Sequence, residues 1–176
     1  MIIINADYLL NFVIPQGPTG PTGPQGVTGP TGPTGSFEGL DAYGGRYNNS
    51  APVINLTIGS SSVIPLDVNM PSKSVNYGTN TISITESGVY EINYYANMSA
   101  AVATTVTMAV RNNGTNIPST SISRALSVGV SSVYSGSTIV NLNSGAVLDL
   151  SLSALLAVGV TLGTGVGASL TVKKLN

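Results

Sequence analysis

The sequence contains no cysteine, no histidine and no tryptophan. Their absence excludes thiolate and imidazole nucleophiles, the commonest general base and the usual zinc ligands, and most enzyme mechanisms close with them. No disulfide can staple the fold, so any extra stability has to come from packing or assembly. The redox compartment stays open, because cytosolic and surface proteins alike do without cysteine. Charge is scarce too: six basic and seven acidic residues among 176 leave a formal net charge of -1. That balance offers nucleic acid or an anionic membrane no electrostatic attraction, and neither is expected as a partner.

Long hydrophobic runs are also missing. The stretch from Met1 to Ile14 (MIIINADYLLNFVI) is apolar, yet shorter than the roughly 20 residues a helix needs to cross a bilayer, so no membrane span is expected. It has no basic n-region, contains Asp7 and meets Pro15 rather than a small-residue cleavage site, so it does not read as a secretory signal. Two readings remain for Ile2, Ile3, Ile4, Leu9, Leu10, Phe12, Val13 and Ile14. They form an anchor, residues 1–16, that docks onto another protein, or a strand or helix packed on the chain's own domain. The repeat that follows favours the anchor.

Glycine recurs at every third position through Gly17, Gly20, Gly23, Gly26, Gly29, Gly32 and Gly35, and proline fills Pro18, Pro21, Pro24, Pro30 and Pro33, with Val27 in the remaining slot. A strict Gly-X-Y period with proline at X is the pattern of a collagen triple helix, whose crowded axis admits no side chain; residues 17–35 are therefore expected to form a stalk of three chains. A flexible Pro/Gly linker would need no such period. The rod is on the order of 50 Å long, and so short a triple helix needs a clamp elsewhere. Thr19, Thr22, Thr28, Thr31 and Thr34 occupy the third positions of an uncharged stalk. They are candidate O-glycan acceptors, or simply tolerated β-branched residues.

After Gly35 the period changes from three to two, and residues 36–176 read as an all-β head with the architecture of a sandwich or jelly roll. Tyr90, Ile92, Tyr94, Ala96 and Met98 alternate with polar residues, as do Val106, Met108 and Val110, then Leu148, Leu150, Leu152 and Ala154, then Leu170 and Val172. Asn113-Gly114 is a hairpin signal and Asn143-Ser144-Gly145 a turn. Shorter runs near Val53 to Ile58, Ser62 to Val68, Thr81 to Ile84 and Thr138 to Leu142 bring the expectation to eight strands or more. The run from Leu155 to Leu162 breaks the alternation. As one strand it would be apolar on both faces, which makes Leu155, Leu156, Val158, Val160 and Leu162 the candidate interface of a homotrimer. Burial within the protomer's own core is the alternative.

Catalytic chemistry is thin. The carboxylates Asp41, Asp67, Glu86, Glu91 and Asp149 are scattered, no base stands by a nucleophile, and Gly159, Gly163, Gly165 and Gly167 lack the Lys-Ser/Thr ending of a phosphate loop. No enzyme activity, no cofactor and no metal is expected. Sequons at Asn48, Asn55, Asn97 and Asn113 are short enough to arise by chance in so Asn/Ser/Thr-rich a chain.

A short N-terminal segment, the GPT-type triplets, and a head containing GVYEINYYANMSAA (Gly88 to Ala101) and LSALLAVGVTLGTGVGASLTVKKLN (Leu152 to Asn176) together resemble the Bacillus collagen-like glycoproteins of the spore exosporium, the BclA family. The resemblance implies a homotrimeric jelly-roll head similar to those of complement C1q and tumour necrosis factor, a stalk O-glycosylated on threonine, and an N-terminus that attaches to an exosporium basal-layer or spore-appendage protein. It thereby implies a structural filament of the spore surface, in the exosporium or at an appendage tip. The alternative is a trimeric receptor- or glycan-binding adhesin or phage-fibre tip, which a glycan array would separate from a purely structural head.

Overall fold

The computed structural model describes residues 13–29 and 39–176. The chain divides into two compact units, Met1–Ser36 and Phe37–Asn176. In the first, the described residues form neither helix nor strand and are exposed throughout. A Cβ added to Gly17, Gly20, Gly23, Gly26 or Gly29 would meet nothing within 4 Å. Nothing inside a single chain therefore calls for glycine at these places.

The described residues of the second unit form fourteen strands. In chain order they are β1 (Tyr43–Asn48), β2 (Val53–Leu56), β3 (Ser61–Val63), β4 (Val68–Asn69), β5 (Val75–Gly78), β6 (Thr81–Ile84) and β7 (Gly88–Ala100), then β8 (Thr104–Asn112), β9 (Thr115–Asn116), a 3-10 turn at Pro118–Thr120, β10 (Ile122–Leu126), β11 (Ser132–Leu142), β12 (Val147–Ala154), β13 (Val158–Leu162) and β14 (Ala168–Lys174). They make two sheets. In the first, β7 is the spine: β11 runs along one edge from Gly88↔Leu142 to Ser132↔Met98, while the other edge is shared between β14 (Tyr90 to Ala96) and β13 (Met98 to Ala100). Beyond β14 lie β1 and β4, and beyond β13 lies β2. The second sheet runs β10-β8-β12-β6-β5, with β3 on β12 and β9 on β8.

The alternation predicted for the long strands is present. Tyr90, Ile92, Tyr94, Ala96 and Met98 from one sheet and Val106, Met108, Val110, Leu148, Leu150 and Leu152 from the other are all buried. Fully burying one such large side chain stabilises the fold by about 1.5–3 kcal/mol. Phenols carried inside need partners: Tyr90 Oη donates to the Glu86 carbonyl at 2.8 Å, and Tyr134 Oη lies 3.1 Å from the Val106 carbonyl and 3.2 Å from that of Arg124. At Asn113-Gly114, φ values of 50° and 80° give the mirror-image turn that suits a two-residue hairpin.

One strand expectation is corrected. Leu155 to Leu162 is not a single strand: β12 ends at Ala154, the chain bends through residues 155–157, and β13 starts at Val158. The broken alternation marks a bend between two strands of ordinary period. Val158, Val160 and Leu162 then point inward and are 6%, 0% and 1% exposed, whereas Leu155 and Leu156 are 73% and 48% exposed. The first three are already covered by their own protomer, so they offer no surface to a second copy.

Candidate interaction surfaces

Three of the head's carboxylates form ion pairs, each with a different cation. Asp149 receives a bidentate contact from Arg111, at 2.7 Å from Nε and 3.0 Å from Nη2, and Arg111 Nη1 donates to Ser61 Oγ at 3.1 Å. Glu86 pairs with Lys174 at 3.0 Å and Glu91 with Lys173 at 3.7 Å. Hydrogen bonding from Lys174, with a smaller contribution from Ser74, holds the Glu86 carboxyl below its usual range; the same Glu86 contact holds Lys174 above its own. Among the described residues no group of three or more His, Cys, Asp or Glu is placed to hold a metal, and no helix is long and apolar enough to cross a membrane.

Two surfaces stand out. The outward side of the first sheet carries Asn93, Tyr95 and Asn97 on β7, flanked by Ser169 and Thr171 on β14, Tyr47 on β1, and Val133, Ser135, Ser137 and Ile139 on β11. Its β7 row is half-buried within the single protomer, and its one ion pair, Glu91–Lys173, sits toward the end where β7 begins. Tyrosine with little charge is the composition of an interface core. Sequence reading treated Asn93, Tyr95, Asn97, Ser169 and Thr171 as the polar side of their strands and set Tyr47, Val133, Ser135 and Ser137 in no strand; the tyrosines Tyr47 and Tyr95 among small polar residues were the available signal.

The second surface is one end of the sandwich. Charge gathers at the opposite end, where Tyr43 pairs with Lys173 and bridges Lys73, and where Glu86 meets Lys174. Loops 57–60, 101–103, 127–131 and 155–157 share the other end, since Ala100 pairs with Val160 and bridges Val128, Thr104 pairs with Leu126, and Leu56 pairs with Val158. These four loops contain no charged residue. A cleft of about 490 Å³ opens there between Ile58 to Ser61 and Ser153 to Leu155.

Of the predicted site residues, Gly17, Gly20, Gly23, Gly26 and Gly29 lie in exposed chain that is neither helix nor strand, with Thr19, Thr22 and Thr28 beside them. Gly32, Gly35, Thr31 and Thr34 lie outside the described residues. So do Ile2, Ile3, Ile4, Leu9, Leu10 and Phe12 of the anchor; its last two residues, Val13 and Ile14, are each 84% exposed.

The BclA C-terminal domain family matches residues 44–176. Among solved structures, a TNF named Eiger from S. frugiperda is similar at a TM-score of 0.52 and 11% identity, covering 78% of this chain and 94% of that one. The PRD1 vertex protein P5 gives 0.52 and 13%, covering 78% and 99%. The globular domain of zebrafish complement 1qA gives 0.50 and 12%, covering 77% and 98%. At such identities the likeness is one of fold, and the expected C1q/TNF-like sandwich is the fold observed. No curated protein matches the sequence.

Proposed function

The chain belongs to the BclA C-terminal domain family through residues 44–176, and on that premise we propose that it is a structural surface protein, a trimeric fibre of the spore exosporium or of a spore-appendage tip. In this reading residues 1–16 are the anchor to a basal-layer or appendage protein, residues 17–35 the stalk, and residues 36–176 the head. Thr19, Thr22, Thr28, Thr31 and Thr34 are the positions for O-glycans.

The observation that carries the reading is the glycine period set against the single chain. Seven glycines keep register, yet at the five described ones a side chain would touch nothing. The period acquires a physical cause only when three chains meet at a common axis. The head supports the same count through the outward face of its first sheet, where Tyr47 and Tyr95 stand in a nearly uncharged setting. That face takes over the interface role from Val158, Val160 and Leu162, which the protomer's own core consumes. A neutral Ser/Thr/Asn surface joined to a rod is suited to a hydrated outer layer and needs no catalysis.

Light scattering of the full chain and of residues 36–176 tests this. Three chains are expected in both. A monomeric full chain would sink the fibre reading, and a monomeric head within a trimeric full chain would move the clamp to the stalk or the anchor.

A further inference from the structure

The four loops at the end of the head away from Tyr43 present Ile58 (69% exposed), Val102 (51%), Val128 (62%), Val130 (56%), Leu155 (73%) and Leu156 (48%). Single exposed aliphatics are ordinary, but a cluster of six from four loops without one charge among them is the pattern of a contact surface. The charge nearest to this crown along the ladders is Arg124, two residues before Leu126 on β10. Arg124 is exposed, its guanidinium lies 5.9 Å from the Tyr134 ring centre, and it has no carboxylate partner among the described residues.

The same chain carries a second aliphatic stretch. Met1 to Ile14 holds eight large apolar residues beyond Met1 and Tyr8 and a single charge, Asp7; its described end, Val13 and Ile14, lies open at 84% exposure each. The segment and the crown match in aliphatic chemistry, and the segment's one charged side chain, Asp7, is opposite in sign to Arg124 beside the crown. A lipid surface fits the crown less well, since no lysine or arginine stands in the loops to meet its headgroups. Crown-to-crown contact would offer Arg124 no acidic partner, since the four loops contain none.

We propose that the crown formed by loops 57–60, 101–103, 127–131 and 155–157 is the docking site for residues 1–14 of another copy of this chain, with Asp7 meeting Arg124 at its rim. Binding seats the aliphatic side chains of the segment against Val128, Val130 and Leu155 and in the cleft beside Ile58. Because anchor and receptor are different patches, the contact is heterologous and joins each copy to a next one. The inference rests on reading residues 1–16 as an anchor and adds a receptor for it on the same molecule.

The test titrates a fluorescent peptide of residues 1–16 against the full chain carrying Leu9→Asp and Leu10→Asp, which disables its own segment, and follows anisotropy. Saturable binding is expected. Adding Val128→Ser and Leu155→Ser to the protein should raise the Kd at least tenfold. Arg124→Glu should raise it several-fold, and a peptide carrying Asp7→Lys should recover that loss. These positions are exposed, so unchanged thermal melting of each variant separates lost docking from lost folding. Equal affinity for the crown variants overturns the inference. So does absent peptide binding with self-association that Leu155→Ser abolishes, which would mean the crown meets another crown. Attachment of the full chain to spores, assayed separately, reports on the anchor itself: attachment without peptide binding keeps the anchor and removes its receptor on this head.

Discussion

Tyr94 lies across Gly136 on the neighbouring strand, its ring filling the space that a side chain at position 136 would take. The two are register partners between β7 and β11, and a Cβ built on Gly136 would stand 2.6 Å from Tyr94 Cζ and closer still to its hydroxyl. Glycine is thus required at this place by packing. Gly136→Val is expected to destabilise the head by about 1–3 kcal/mol through overpacking. Tyr94→Leu in the same chain should return part of that loss, and urea denaturation of the single and double variants measures the coupling.

That contact also explains what the sequence displayed and what it hid. Strands whose inward residues are all apolar, such as β7 through Tyr90 to Met98 or β12 through Leu148 to Ala154, show a clean period of two. In β11 the inward set begins Tyr134, Gly136, Thr138, because Tyr94 supplies the apolar matter that Gly136 lacks, so only the part from Thr138 to Leu142 was legible. In β1 the inward positions are Gly44, Arg46 and Asn48. There Gly44 sits against Val75 and Tyr77, and the Arg46 guanidinium lies 5.8 Å from the Tyr77 ring centre, so no hydrophobic period exists to be read. The candidate interface failed at Val158, Val160 and Leu162 for a related reason: a bend leaves no mark in an alternation count except as an extra apolar residue. Of the crown only Leu155 and Leu156 were legible, singled out as candidate interface residues and exposed in the fold; the rest could not be read, since it is assembled from loops far apart in sequence.

The Arg111–Asp149 contact is expected to matter more than surface ion pairs usually do. Both side chains are largely covered, at 15% and 10% exposure, and the geometry is bidentate. Arg111→Met leaves the Asp149 carboxylate without its partner in a poorly solvated place, at an expected cost of about 3 kcal/mol. Replacing both, Arg111→Met with Asp149→Leu, should cost less than the single change. Guanidinium denaturation of the two variants decides it, and an equal loss in both would show that packing rather than charge holds the contact.

Stability should fall at both ends of the pH scale. Lys174 holds the Glu86 carboxyl down, so that contribution is present above the unfolded glutamate value of about 4.3 and is lost as pH falls through the lower folded value. At the alkaline end, the Glu86 contact raises Lys174, and burial raises the phenols of Tyr90, Tyr94 and Tyr134. Their contributions are complete below the unfolded values, about 10 for tyrosine and 10.4 for lysine, and are lost as pH rises through the folded ones. Thermal melting across pH should therefore show a plateau between roughly pH 5 and pH 10. Glu86→Gln should flatten the acid limb and leave the tyrosine part of the alkaline limb, which tyrosinate absorbance follows independently.

The stalk gives the sharpest separation between one chain and three. In a single chain a methyl group at Gly23 meets nothing within 4 Å, so Gly23→Ala would be harmless to an isolated, unwound stalk. At the axis of a triple helix the same methyl has no room, and one such substitution disrupts the winding locally. The head, a separate compact unit from Phe37 to Asn176, should be untouched. Calorimetry of the full chain is thus expected to show a stalk transition that Gly23→Ala lowers or removes, while the head melts where it did before. Pro24→Ala, at a position that tolerates side chains, should lower the stalk transition far less, because it removes only a preset backbone angle. Identical traces for the wild type and Gly23→Ala would mean that the stalk is not wound, and the trimer would then have to rest on the head alone.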